Sequence, residues 1–226
     1  MEADDTKNRV LDAAGNVFAE KGYEAATVRE ICDLAGANIA AVNYYFGDKK
    51  RLYLAACMEA QCAREGAVPL PQWPPGTPAE ARLRDFIHTF LRRLLEEERP
   101  AWQRQLMLRE LASPTEACAH VVEDYIRPMA VVLKGIVDEL MPPGTSEIES
   151  FPIGFSIVGQ CLFYHVHQPI ASRLMGEEQY HLLSIDRLTD HITRFSLAAL
   201  GYGQPLARKD PSTDPTASGR TARAVQ

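Results

Sequence analysis

The sequence predicts an all-α chain of two helical domains, a small N-terminal one and a larger C-terminal one. Apolar side chains recur three and four residues apart, the period of a helix; no stretch alternates apolar and polar residues long enough to make a strand; and hydroxyl caps stand ahead of the apolar runs.

Val10, Ala13, Ala14, Val17 and Phe18 form one stripe on a first helix, which Gly22 is expected to end as a C-cap with Tyr23 packing back. Thr27 with Glu30 is a capping box for a second helix, whose apolar face reads Val28, Ile31, Leu34 and Ala35 and which Gly36 stops. Asn38 caps a short third helix to about Phe46, and Asp48 caps a fourth to about Arg64. From Gly66 to Pro78 the run GAVPLPQWPPGTP carries five prolines and cannot be a helix interior, so it reads as a linker. Thr77-Pro78-Ala79-Glu80 and Ser113-Pro114-Thr115-Glu116 each place a capping hydroxyl, a proline at N1 and a glutamate at N3. The helix after Ser113 runs into Arg127-Pro128, where a kink or break is expected because proline removes a donor and crowds the preceding turn. Ser146 with Glu149 opens another helix through about His167, and Ser184 opens the last, closed by Gly201. The expected division is 1–50, 51–203 and a disordered tail, 204–226, which mixes proline, serine, threonine and charge with few apolar side chains.

Composition narrows the function classes. The 46% of apolar residues can fill a core, and no apolar run reaches the roughly 18 residues of a membrane span. The first ten residues, MEADDTKNRV, are acidic where a secretory signal is basic, so a cytoplasmic protein without a membrane partner is expected. Cys32, Cys57, Cys62, Cys118 and Cys161 include no CxxC pair, which argues against a disulfide framework and a structural zinc. The net charge is −6, and residues 1–51 hold seven basic side chains against nine acidic ones. Contact with nucleic acid therefore needs a small, well-placed surface and a second subunit, with Lys49-Lys50-Arg51 the locally basic run.

Residues 27–46, TVREICDLAGANIAAVNYYF, have what two helices crossing at a tight turn require. Gly36 permits the turn, Cys32 is small enough for close approach, and Val42 supplies the apolar contact beneath. The third helix would then present Ile39, Ala40, Ala41, Asn43, Tyr44 and Tyr45, small, apolar and hydrogen-bonding groups suited to major-groove edges. The Asn43 amide can pair with adenine N6 and N7, and Ile39, Ala40 and Ala41 can lie against thymine methyls. Phosphate contacts are expected from Thr27 and the free N–H groups of its helix start, from the Tyr44 and Tyr45 hydroxyls and from Lys49, and Val28, Arg29 and Asn38 are also expected to touch DNA.

The run from Ala35 to Lys49, AGANIAAVNYYFGDK, resembles the helix-turn-helix signature of TetR-family regulators, a likeness that spans roughly residues 8–60. The second half resembles the CecR-like subgroup through Leu108–Thr115, LRELASPT, and Val158–Tyr164, VGQCLFY. The resemblance implies an N-terminal three-helix DNA-binding domain, a C-terminal domain for effector binding and dimerisation, and a homodimer on double-stranded operator DNA. Many members carry tyrosine or tryptophan where this chain has Asn43, so base preference is not carried over.

The last two long helices, about 147–167 and 185–200, offer more apolar surface than one buried face requires. Dimer contacts are expected from Phe155, Val158, Leu162, Val166, Leu188, Ile192 and Phe195. Effector contacts are expected among polar, aromatic and sulfur groups on apolar helix faces: His88, Trp102, Met107, Arg109, Glu110, Tyr125, Gln160, Tyr164 and His165. Arg109 and Glu110 have a structural alternative, an ion pair or the capping of a neighbouring helix. His165 and His167 point to different helix faces, so no metal is expected, and no cofactor. The chain is thus read as a ligand-responsive transcription regulator, a repressor that releases operator DNA when a small molecule binds, and not an enzyme, since it has no recognisable nucleophile-base pair, phosphate loop or metal set. Two alternatives stand: a redox-sensing regulator using Cys57, Cys62, Cys118 or Cys161, and a helical dimer that does not bind DNA.

Overall fold

The computed structural model describes residues 2–95 and 100–202, with all side chains there except those of 2–4 and 62–67. The tail and the Cys62 side chain lie outside the described residues. Among the described residues there are no strands and twelve α-helices: α1 (Glu2–Ala25), α2 (Val28–Ala35), α3 (Ile39–Phe46), α4 (Lys49–Ala67), α5 (Ala79–Leu95), α6 (Ala101–Ala112), α7 (Glu116–Val121), α8 (Arg127–Leu140), α9 (Glu147–Val166), α10 (Gln168–Met175), α11 (Glu177–His181) and α12 (Ile185–Ala199).

Local hydrogen bonds start and stop these helices. Gly22 leaves helical geometry at φ 79°, ψ 172°, just before the end of α1. Thr27 and Glu30 close their capping box reciprocally, as do Ser146 and Glu149, while Asn38, Asp48 and Ser184 cap α3, α4 and α12 through their side chains. Two proline-linked caps differ from expectation. The Thr77 hydroxyl donates to the Pro74 carbonyl, so it does not cap α5. Ser113 ends α6, and the Thr115 hydroxyl, accepting from the Ala117 N–H at 3.1 Å, starts α7. At Arg127-Pro128 the chain does not break: residues 122–126 widen into a π turn, with the Arg127 N–H reaching back five residues to the Val122 carbonyl. Widening relieves the clash that proline makes with the carbonyl four residues earlier.

Two cores result. The first joins the stripe of α1 to Ile31, Cys32 and Ala35 of α2, Val42 and Phe46 of α3, Leu52, Ala56 and Cys57 of α4, and then Trp102, Leu106 and Met107 of α6. Leu34, read from the sequence as part of the α2 apolar face, stands 60% exposed. Residues 28, 31, 32 and 35 share one side of a helix of period 3.6, and 34 lies more than a quarter turn off it. The second core packs α5, α8, α9 and α12 through residues such as Leu83, Ile87, Ile136, Val137, Ile157, Leu188 and Ile192.

Helix α6 packs into the first core from beyond the proline-rich segment. Trp102 lies so close over Gly15 that a Cβ there would come within 2.4 Å of the ring. The Arg109 guanidinium donates to the Ala19 carbonyl at 3.1 Å and the Glu20 carbonyl at 2.8 Å, near the C-terminal end of α1, where a cation offsets the helix dipole. The fully buried Glu110 carboxylate accepts from the Tyr53 hydroxyl at 2.5 Å and from the Thr115 N–H at 2.8 Å.

Gly15→Ala is expected to force Trp102 off α1 and to destabilise the fold by about 1–3 kcal/mol, the usual cost of overpacking. Gly135→Ala, on α8 with open space around it, is expected instead to gain up to about 1 kcal/mol from helix propensity. Urea unfolding of the two variants beside the parent checks both signs.

Candidate nucleic-acid interface and ligand cavity

Helix α3 is anchored from beneath by Val42 and Phe46, which leaves its other side to solvent. Ile39, Ala40, Asn43 and Tyr44 are exposed, at positions i, i+1, i+4 and i+5 of one strip, and Tyr44 reaches 82% exposure. Tyr44 and Tyr45 meet edge to face at 4.9 Å, with Tyr45 half-buried against the first core. Ala41 is half-buried. The Asn38 side chain is engaged as the cap of α3, accepting from the Ala41 N–H at 2.9 Å.

At the start of α2, Thr27 and Arg29 are exposed and Val28 is half-buried. Lys21 donates to Glu30 at 2.7 Å, and this contact, with the Thr27 bonds, holds the Glu30 carboxyl below its usual range. Lys49 is turned inward: its ammonium donates to the Glu24 carbonyl at 3.2 Å and lies 4.6 Å over the Tyr23 ring. Lys50 pairs with Glu116, tying the head of α4 to α7. Arg51, the last residue of the basic run Lys49-Lys50-Arg51 and not among the individual contacts expected from the sequence, is well exposed beside Asp48 in the first turn of α4.

The second feature is a cavity of about 240 Å³ between α5, α8 and α9, with α4 and α6 reaching its edge through Gln61 and Leu111. Of the nine effector candidates, Tyr125 in the π turn lines it. The others lie elsewhere. Trp102 and Met107 belong to the first core, Arg109 and Glu110 hold α6 to α1, α4 and α7, and His88 stands 3.4 Å from Asp186 between α5 and α12. Gln160 donates to the Ser156 carbonyl on its own helix, the Tyr164 carbonyl accepts from the Tyr180 hydroxyl, and His165 is half-buried further along α9. The cavity walls are instead mostly phenylalanines, leucines and valines, which in the sequence look like any other core residues, with Gln61, Arg93, Lys134 and Ser150 among them.

The outer side of α9 is apolar: Ile148, Phe151, Phe155, Phe163 and Val166 are exposed, Phe155 by 68%, with Val158 and Leu162 half-buried at its flank. Phe195 of α12 and Ile170 and Leu174 of α10 are exposed as well. Leu188 and Ile192 are not, because α12 turns them into the protomer's own second core. Burial pushes the Cys57 and Cys161 thiols up to about 12, away from the range of a reactive thiolate.

Comparison with known proteins agrees with this layout. Residues 10–56 match the model for bacterial regulatory proteins of the tetR family, and residues 79–200, more than half of the chain, match the C-terminal domain of the HTH-type transcriptional dual regulator CecR. The chain is similar to the dual regulator CecR of Shigella flexneri, 34% identical over 140 residues, which is 57% of this chain and 61% of that protein. The chain spans 21–61% of the length of the curated relatives it matches. Among solved structures it resembles HlyIIR, a hemolysin II transcriptional regulator, with a TM-score of 0.55 at 21% identity over 84% of this chain and 98% of that one. It also resembles the transcriptional regulator FadR of Bacillus subtilis in complex with stearoyl-CoA, with a TM-score of 0.54 at 16% identity over 84% and 97%. The chain belongs to the TetR family of bacterial regulatory proteins, in the branch with a CecR-type C-terminal domain.

Proposed function

We propose that the chain is a ligand-responsive repressor that binds operator DNA as a homodimer and lets it go when a small molecule fills the cavity. The observation that carries this is the outward strip of α3, where an amide, a phenol and small apolar groups stand together on a helix braced from behind. Asn43 reads a base edge, Ile39 and Ala40 contact methyl groups, and Tyr44 with Arg29 and Arg51 contacts phosphate. The net charge of −6 leaves little non-specific attraction, so affinity depends on two such strips working at once. Pairing across the apolar side of α9 supplies the second strip, set roughly 34–36 Å away to meet the next major groove.

The route from cavity to DNA is short. Leu111 borders the cavity, while Arg109 and Glu110, its neighbours on α6, hold α1, α4 and α7. A ligand that favours a different setting of α6 tilts the reading heads away from operator spacing, and it acts only through the difference in its affinity for the two settings. FadR, bound to stearoyl-CoA, is a neighbour of like fold with a ligand. Among the described residues no helix is long and apolar enough to cross a membrane, which fits a regulator working in the cytoplasm.

Asn43→Ala is expected to weaken specific binding to the DNA upstream of its own gene by about 1–3 kcal/mol, roughly fivefold to 150-fold, with the dimer intact. Gel retardation beside size-exclusion chromatography measures both, and normal retardation by Asn43→Ala and Tyr44→Ala together would move the reading surface elsewhere. Phe163→Arg, which enters a twofold interface twice, is expected to yield monomers in sedimentation velocity and to abolish retardation at concentrations where the parent binds.

A further inference from the structure

We infer that the cavity takes an uncharged, largely apolar ligand and discriminates against the anionic analogue of the same shape. The inference rests on the ligand-responsive reading above and names the chemistry of its effector. Phe86, Phe90, Leu133, Val137, Val158 and Leu162 form most of the wall, and at about 240 Å³ the space suits a small organic molecule.

Two cations border this space, and both are engaged. The Lys134 ammonium donates to Asp138 at 2.6 Å and stands 3.6 Å from Glu147, exposed carboxylates outside the cavity lining that already compensate its charge. Buried Arg93 donates through Nε to the Val68 carbonyl at 2.6 Å and through Nη1 to the Met129 sulfur at 3.3 Å, which fastens the start of the proline-rich segment to α5 and α8. An anion entering here gives up its hydration and finds both bordering cations already held by protein groups. An uncharged ligand of the same outline loses no such hydration and gains contact with aromatic walls.

Gly154 of α9 provides a handle on this site. It lines the cavity, and a Cβ there would meet the Leu133 side chain at 3.7 Å, an ordinary contact, so a larger residue fits the backbone and fills the space instead. Replacing a mid-helix glycine also favours the helix.

The test is fluorescence titration of the full chain with two probes of one ring skeleton: neutral N-phenylnaphthylamine and anilinonaphthalene sulfonate, which adds a negative charge. The neutral probe is expected to saturate at one per protomer and to bind at least about tenfold more tightly than the sulfonate. Gly154→Leu and, in parallel, Val158→Phe are expected to weaken the neutral probe by about tenfold or more, with the unfolding midpoint of Gly154→Leu unchanged or raised. Equal or tighter binding of the sulfonate, neutral-probe binding that survives both substitutions, or no saturable binding of either probe overturns the inference. Loss of DNA retardation by the ligand-free protein would overturn the regulator reading itself, whereas sulfonate-preferring binding that releases DNA would overturn only the ligand class.

Discussion

Burying the Glu110 carboxylate removes hydration that only hydrogen bonds can replace, and the protein supplies them from Tyr53 on α4 and from the N–H and hydroxyl of Thr115 at the start of α7. Burial, reinforced by the bond to Glu110, raises the Tyr53 phenol above its ordinary value, so it remains a donor. Such a network is stable only when complete, and completing it fixes three helices relative to one another. With Arg109 on α1 and Trp102 over Gly15, it makes α1–α4 and α6 one packed body. The second core, with its cavity, meets that body along α6, the end of α4 and the π turn.

Helix α9 serves two masters by dividing its circumference. One side, through Ile157 and Cys161, packs in the second core; a flank, through Gly154 and Val158, walls the cavity; the remainder is apolar and uncovered in the protomer. Phe151 and Phe155 belong to both the cavity wall and the uncovered side, so anything that shifts them is felt at each.

What could be read in the sequence was local. A Thr27–Glu30 box, an Asn38 cap and a Ser146–Glu149 box need only four consecutive residues, and the outward strip of α3 follows from Val42 and Phe46 being the groups that must be buried. What could not be read was which core an apolar residue joins. Trp102 and Met107 lie beyond the proline-rich segment yet pack with α1 and α4, and Leu188 and Ile192, expected from the sequence to meet a partner, face inward. The cavity was hidden for the same reason: it is space left between α5, α8 and α9, and its walls carry the same residue types as solid core. Arg109 illustrates the middle ground, since capping a neighbouring helix was foreseeable but the identity of that helix required long-range contacts.

The π turn at residues 122–126 sets the phase between two stretches of what is nearly one continuous rod. Before it, Ala117 and Val121 point into the first core; after it, Leu133, Ile136 and Val137 point into the second. Each residue advances a helix by about 100°, so the wider turn retards everything downstream relative to an unbroken α-helix. Removing one residue there would restore regular winding and leave the second stretch facing nearly the same way, because the five residues of the π turn cover about the angle of four in an α-helix. Pro128 opposes any tightening of the present chain to regular winding, since its ring would then press on the carbonyl four residues earlier, and so keeps the turn wide.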